Sequence, residues 1–343
     1  MIEPLNNTVE FPAMRGGVKL CQLDFVDLYM SLYEDLPSYY QVFNFGTHVM
    51  QQMDLPPEYH NDIVILRTRL EEALRDTNEV GITYDGMRLR ASKATTTRDQ
   101  TWVAMRRIMQ RPPAINDLGF TLPVTESLKQ LGLRDGLILI CGSTGQGKTT
   151  TASALLYEYL VSYGGVAFTI EDPVEYQIDG RQGKSGLCYQ VEVKEENDWA
   201  SWLKRSLRWH PRYIMVGEVR TPEAANQLLR AATSGHLVIT TMHAGSIEEG
   251  LEGLLHLAEQ AIGEHAPLLL ATGLTGVLHQ SFMPHSVEAR LYATEAGNLG
   301  DPVRALIRER HIGQMSTFVD QQTIRRSQNL RPNPFQEKRK VGT

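Results

Sequence analysis

Lys148 and Thr149 close the run Gly142-Ser143-Thr144-Gly145-Gln146-Gly147-Lys148-Thr149, with Thr150 following. That is the G-x-x-x-x-G-K-[ST] spacing of a phosphate-binding loop. The residue types explain the chemistry. Glycines at 142, 145 and 147 let the backbone curl until several N–H groups point at phosphate oxygens. A helix start behind the loop adds partial positive charge. Lys148 can reach the β- and γ-phosphates, and the Thr149 hydroxyl can ligate Mg²⁺. The pattern implies a nucleoside triphosphate held with Mg²⁺.

Hydrolysis of such a ligand needs more than a cradle. It needs a metal contact, an oriented water and compensation for charge on the γ-phosphate. Glu218 follows the apolar run Tyr213-Ile-Met-Val-Gly and is placed to meet the metal or the water. Glu171 and Asp172, just before Pro173, offer a second acidic site or a simple turn. His243, after Leu237–Thr241, can sense the γ-phosphate or serve as a hydrogen-bonded structural residue.

These groups require elements that bring them together. Leu137–Ile140 reads as a buried strand and Ala152–Val161 as the crossover helix after it. Val166–Ile170, Tyr213–Val216 and Leu237–Thr241 read as further strands. Between them, Asp198–Trp209 places Trp199, Trp202, Leu203, Ser206 and Leu207 on one helical face. Thr221-Pro222-Glu223 is a helix start, and Ser246 with Glu249 forms a capping box. Strands alternating with helices give a parallel sheet covered on both faces, with ligands at the carboxyl ends of the strands. Gly142, Glu171, Glu218 and His243 all fall at such ends.

Ahead of this region the signals are mixed. Cys21–Val42 carries Phe25, Leu28, Tyr29, Leu32 and Tyr33 at helical spacing, and Asn61–Arg75 repeats the pattern. Gly81–Ser92 alternates around Asp85-Gly86, a hairpin signal. A helix is expected before Gln110-Arg-Pro-Pro-Ala-Ile-Asn-Asp, whose prolines would stop it. The expected division is a small α+β domain over 1–110, a linker over 111–118, a second domain over 119–327 and a flexible basic tail over 328–343.

Composition narrows the class. Hydrophobic residues make up 42% and charged residues 22%, as in ordinary globular chains. A net charge of -6 and the lack of a basic stripe near the motifs argue against a nucleic-acid partner. Cys21, Cys141 and Cys188 lie far apart, which suits a reducing compartment and speaks against a zinc site. No apolar run reaches membrane-span length, so a cytoplasmic protein is expected, with any membrane contact indirect.

The ordered motifs GSTGQGKTT, TIEDPVEY, LRWHPRYIMVGEVR and SGHLVITTMHAGS resemble the secretion ATPases of the PilT/GspE type, which drive type II and type IV secretion, conjugation and type IV pili. That resemblance implies an α/β architecture: a PAS-like N-terminal domain linked to a RecA-like P-loop NTPase domain. It implies a homo-hexamer that uses ATP and Mg²⁺ and docks on inner-membrane components of a secretion or pilus apparatus. By matching positions, Glu171 is the Asp-box acid, Glu218 the Walker B acid that shares the metal with Thr149, and His236 and His243 the His-box residues, with His236 beside the nucleotide. The resemblance leaves open which glutamate orients the water and favours Glu171. Arg90 and Arg106 match arginines that complete a nucleotide site from the N-terminal domain; otherwise they only solvate a surface.

Several positions depart from the family pattern. Ser143 and Gln146 replace Pro and Ser, Thr221 stands where Asp is usual, and LR-x-DPD has become LRWHPR. TTMHAGSIEE resembles the Dot/Icm and IncI-type conjugative ATPases, such as those called DotB and TraJ, so a type IVB-like apparatus is the leading expectation. A pilus retraction motor, a slowly cycling assembly platform and a DNA translocase are the competing ones. Val303, Leu306 and Ile307 form an apolar helical face in the weaker C-terminal match.

Overall fold

In the strand Gly136–Gly142, alternate side chains serve two different cores. Leu137, Leu139 and Cys141 face one cluster of buried residues, while Ile138 and Ile140 face another. This double burial is what a central parallel strand requires. The computed structural model describes residues 9–11, 18–33, 35–44, 49–193, 195, 198–283, 286–295, 297 and 300–329. The chain divides into two units, Met1–Met109 and Gln110–Thr343.

The second unit holds an eight-stranded sheet. Its order is Gly180–Gln182, Gly186–Glu192, Gly165–Glu171, Tyr213–Glu218, Leu237–His243, Gly136–Gly142, Leu274–Met283 and Ser286–Ala293. The two outermost pairings are antiparallel and all the others are parallel. The helices Lys148–Tyr163 and Leu122–Leu131 cover one face. Asp198–Ser206, Pro222–Ala232, Ile247–Ile262, Ala266–Gly273 and Pro302–Arg308 supply buried residues to the other. Val303 and Ile307 are core residues there. This is the parallel sheet covered on both faces that the strand–helix alternation implies, and it agrees with the RecA-like domain that the resemblance implies.

Local signals behave as their chemistry dictates. Thr221 Oγ1 accepts from the Ala224 N–H at 3.2 Å, and Ser246 Oγ from the Glu249 N–H at 3.1 Å. The return bond of the capping box shifts by one residue, because Glu249 Oε2 accepts from the Gly245 N–H at 2.7 Å. Ile115, within the expected linker, is buried in the second unit's core. The last described helix runs to Asn329, into the expected tail, and the rest of that tail lies outside the described residues.

The first unit is a seven-stranded sheet with the helix His60–Ala73. Ile63, Leu66 and Leu70 of that helix share a core with Leu28, Met30, Ile82, Leu89, Val103 and Met105. The hairpin turns at Asp85 and Gly86, both at positive φ, as a tight two-residue turn needs. Two expectations fail here. Cys21–Val42 is not helical: it forms a short 3-10 turn and the strands Asp27–Ser31 and Tyr39–Asn44. The stretch before the prolines is the strand Thr101–Ile108. In both, apolar side chains two apart (Leu28 with Met30, Val103 with Met105) find a partner strand, and that pairing overrides a helical spacing.

Candidate active site

The strand order places the phosphate loop, His243, Glu218 and Glu171 on successive neighbouring strands. His243 is in register with Gly142, and Glu218 with Thr241. A register irregularity between Val216 and Glu218 turns the end of that strand, and the Thr241 hydroxyl donates to the Gly217 carbonyl at 2.6 Å across it. Together these ends border a cavity of about 400 Å³, lined by Thr144, Gly145, Gly147, Lys148, Thr149 and Thr150 from the loop side. Glu171, Asp172, Pro173, Glu175, Trp199, Gly217, Glu218, Arg220, Thr241 and His243 line the remainder.

The loop is built from its own sequence. Gly145 and Gly147 have φ of 77° and 69°, the left-handed region that glycine adopts without strain. A Cβ on Gly147 would also lie 2.8 Å from the Phe282 ring. Gln146 turns away from the cavity. Its carbonyl accepts from Gln280 Nε2 at 2.5 Å, and its side chain accepts from the Phe282 N–H.

Lys148 is buried, and that burial lowers its ammonium pKa despite the nearby Glu218 charge. Its Nζ donates to the Ser143 carbonyl at 2.9 Å and lies 3.3 Å from His243 Nδ1. An ammonium only donates, so His243 Nδ1 accepts and Nε2 carries the proton. That Nε2 is 3.4 Å from Glu218 Oε1. Thr144 Oγ1 reaches the same Nδ1 at 3.3 Å. On the other side of Glu218, Arg220 grips Oε2 with Nε at 3.1 Å and Nη2 at 2.8 Å.

Glu171 has a different environment. It is buried, and Oε1 accepts from Thr169 Oγ1 at 2.6 Å and Gln190 Nε2 at 3.0 Å. Oε2 is buried with no hydrogen-bond partner among the described residues. Desolvation pushes the carboxyl pKa up to about 7 in spite of both donors. A carboxylate near neutrality with one open oxygen suits a group that receives a proton from water.

Oxygen donors stand at the expected metal position. The Thr149 hydroxyl and the Glu218 carboxylate both line the cavity, an oxygen pair that suits a hard divalent cation sharing phosphate ligands. Among the described residues, no group of three or more His, Cys, Asp and Glu side chains could hold a metal by itself.

Not every expected residue gathers at the cavity. His236 precedes the strand whose far end carries His243, and its Nδ1 is 2.6 Å from the Pro211 carbonyl. Gly142 and Ser143 shape the loop without lining the cavity. In the first unit, Arg90 and Arg106 are cross-strand partners. Arg90 Nη2 pairs with Glu79 at 3.3 Å, and Arg106 forks onto Asp27 at 2.8 and 3.0 Å. Arg220, Gln190, Thr169 and Gln280 went unnoticed in the sequence. Arg220 alone carried a signal, being two residues after Glu218.

A family model described as type II/IV secretion system protein matches residues 75–321. The putative type II secretion system protein E of Escherichia coli (strain K12) is 34% identical over 168 residues, 49% of this chain and 32% of that protein. The type IV pilus ATPase PilU of Pseudomonas aeruginosa is 31% identical over 229 residues, 66% of this chain and 58% of that one. The chain therefore spans less than two thirds of each relative. Among solved structures, the pilus retraction motor PilT with bound ADP shares the fold, with a TM-score of 0.66 at 24% identity over 89% of this chain and 90% of that one.

Proposed function

The chain belongs to the type II/IV secretion system protein family, and from that premise we propose that it hydrolyses ATP with Mg²⁺ to power a secretion or transfer apparatus. The observation that carries this reading is the meeting around one cavity of Lys148, from the loop and helix after Gly136–Gly142, with Glu171, Glu218 and His243 from the ends of three adjacent strands. In the proposed reaction, loop N–H groups and Lys148 hold the β- and γ-phosphates. Thr149 and Glu218 would hold Mg²⁺, which when bound offsets charge on the phosphate oxygens. Water attacks the γ-phosphorus while the bond to the bridging oxygen breaks, leaving ADP and phosphate. Glu171 orients that water through Oε2 and takes its proton. His243 reports on the γ-phosphate through its contact with Lys148.

The test is steady-state Mg²⁺-dependent ATPase activity with Glu218→Gln beside the wild type. The amide keeps shape but loses the charge that Arg220 and the metal meet. Turnover is expected to fall by at least about tenfold, roughly 1.4 kcal/mol of barrier, with nucleotide affinity retained. A turnover equal to wild type would remove Glu218 from the mechanism.

The working form proposed is a cytoplasmic homo-hexamer docked on inner-membrane components, with Arg90 and Arg106 completing a neighbouring copy's site. Native mass spectrometry with an ATP analogue and Mg²⁺ is expected to show a closed hexameric ring, and the specific ATPase rate should rise with protein concentration as rings form. A monomer persisting at high concentration with full activity would overturn the cross-subunit role. TTMHAGSIEE supports a type IVB-like apparatus, Dot/Icm or conjugative. The similarity to PilU supports the alternative, a pilus retraction motor. Loss of transfer against loss of twitching in a deletion strain separates the two.

A further inference from the structure

We propose that Gln190 is a positioning residue for hydrolysis, whose side-chain amide aims the Glu171 carboxylate and ties that aim to the loop following it. The proposal rests on the ATPase reading above and extends it to a residue outside the four motifs.

The geometry begins with register. Gln190 on Gly186–Glu192 is paired with Thr169 on Gly165–Glu171, and Glu171 lies two residues further along the same strand. Residues two apart share a face of a strand, so Thr169 and Glu171 stand together. Both donors converge on the same oxygen, Thr169 at 2.6 Å and Gln190 at 3.0 Å. With Oε1 saturated from two sides, the carboxylate cannot turn, and Oε2 is the oxygen presented without a partner.

The rest of the amide is also engaged. Nε2 donates to the Tyr176 carbonyl at 3.0 Å, and Oε1 accepts from the Ile178 N–H at 2.7 Å. Tyr176 in turn places its hydroxyl 3.0 Å from Thr150 Oγ1, one residue beyond the metal-side Thr149. Gln190 thus joins the acid, the loop after it and, through Tyr176, the helix behind the phosphates. Glu175 and Glu192 are the like charges acting on Glu171, and Lys148, Glu218, Asp172, Arg220 and His243 border the same cavity. Gln190 adds no charge to this set, so its removal acts through hydrogen bonds and orientation.

Gln190→Met keeps the length and deletes the amide; Thr169→Val deletes the other donor and leaves the loop contacts intact. Full-length protein is assayed for ATP-analogue affinity by fluorescence titration and for kcat across pH. For Gln190→Met, affinity is expected within about threefold of wild type while kcat falls by at least about tenfold, the mark of a misplaced group and not of lost binding. In both variants the acid limb of the kcat profile should move to higher pH by about half a unit or more, because the ionised carboxylate loses a donor. A lowered kcat with no displacement of that limb in either variant overturns the aiming role and leaves Gln190 as loop support. Wild-type kcat and profile in both variants overturns the proposal outright. Should Gln190→Met fail to fold by circular dichroism, the Thr169→Val profile decides. If wild-type protein shows no turnover and Lys148→Ala leaves affinity unchanged, the ATPase reading fails and takes this proposal with it.

Discussion

Lys148→Ala is expected to abolish tight ATP binding while leaving the fold intact. The ammonium is the one cation on the phosphate loop itself, buried at the start of Lys148–Tyr163, where helix polarity and loop N–H groups already favour an anion. Charge-assisted bonds to phosphate contribute about 1.5–3 kcal/mol each, so losing two weakens binding by at least roughly a hundredfold. The folded protein gives up little in return. Burial already draws the Lys148 pKa down, so alanine removes a desolvated charge as well as bonds to Ser143 and His243. The melting temperature without nucleotide should stay near wild type, and the stabilisation on adding ATP should vanish. Unchanged affinity in a fluorescent-nucleotide titration would show that the loop is not the site.

Glu171→Gln is expected to separate activity from stability. The carboxyl titrates near 7 in the fold against an ordinary 4.5, because it is buried. Below 4.5 it is protonated folded or unfolded and contributes nothing. Between 4.5 and 7 the folded form keeps a proton that the unfolded chain releases, so stability falls as pH rises. Above 7 the loss is complete, roughly 3 kcal/mol for such a difference. Glutamine mimics the protonated acid and escapes this cost. The variant should melt with the wild type near pH 4.5 but at a clearly higher temperature at pH 8, with turnover reduced by a hundredfold or so if Glu171 handles the attacking water. Identical melting at both pH values would show that the carboxylate is not a desolvated charge.

The second unit was legible because its strands are buried on both faces and end in chemically distinctive residues. Leu137–Ile140 could be little else than a central strand, and Gly142, Glu171, Glu218 and His243 reported its neighbours. The first unit was harder. Leu28 and Met30 carry the same apolar content whether read at helical or strand spacing, and only a partner strand decides. Gln190, Thr169 and Gln280 were invisible for another reason. A lone amide or hydroxyl has no periodicity, and its role exists only once the sheet sets it beside a carboxylate or a carbonyl.

The grip of Gln280 and Phe282 on Gln146 bears on how the proposed ATPase takes up its nucleotide. A glycine-rich loop left to itself samples many shapes, and each arriving nucleotide would have to freeze them. Here the strand Leu274–Met283 clasps the loop from behind, by side chain and by backbone. The entropy of ordering is met once, during folding, and not again at each turnover. In the proposed ATPase cycle, an arriving nucleotide meets a loop already held at Gln146 and has less of it left to order.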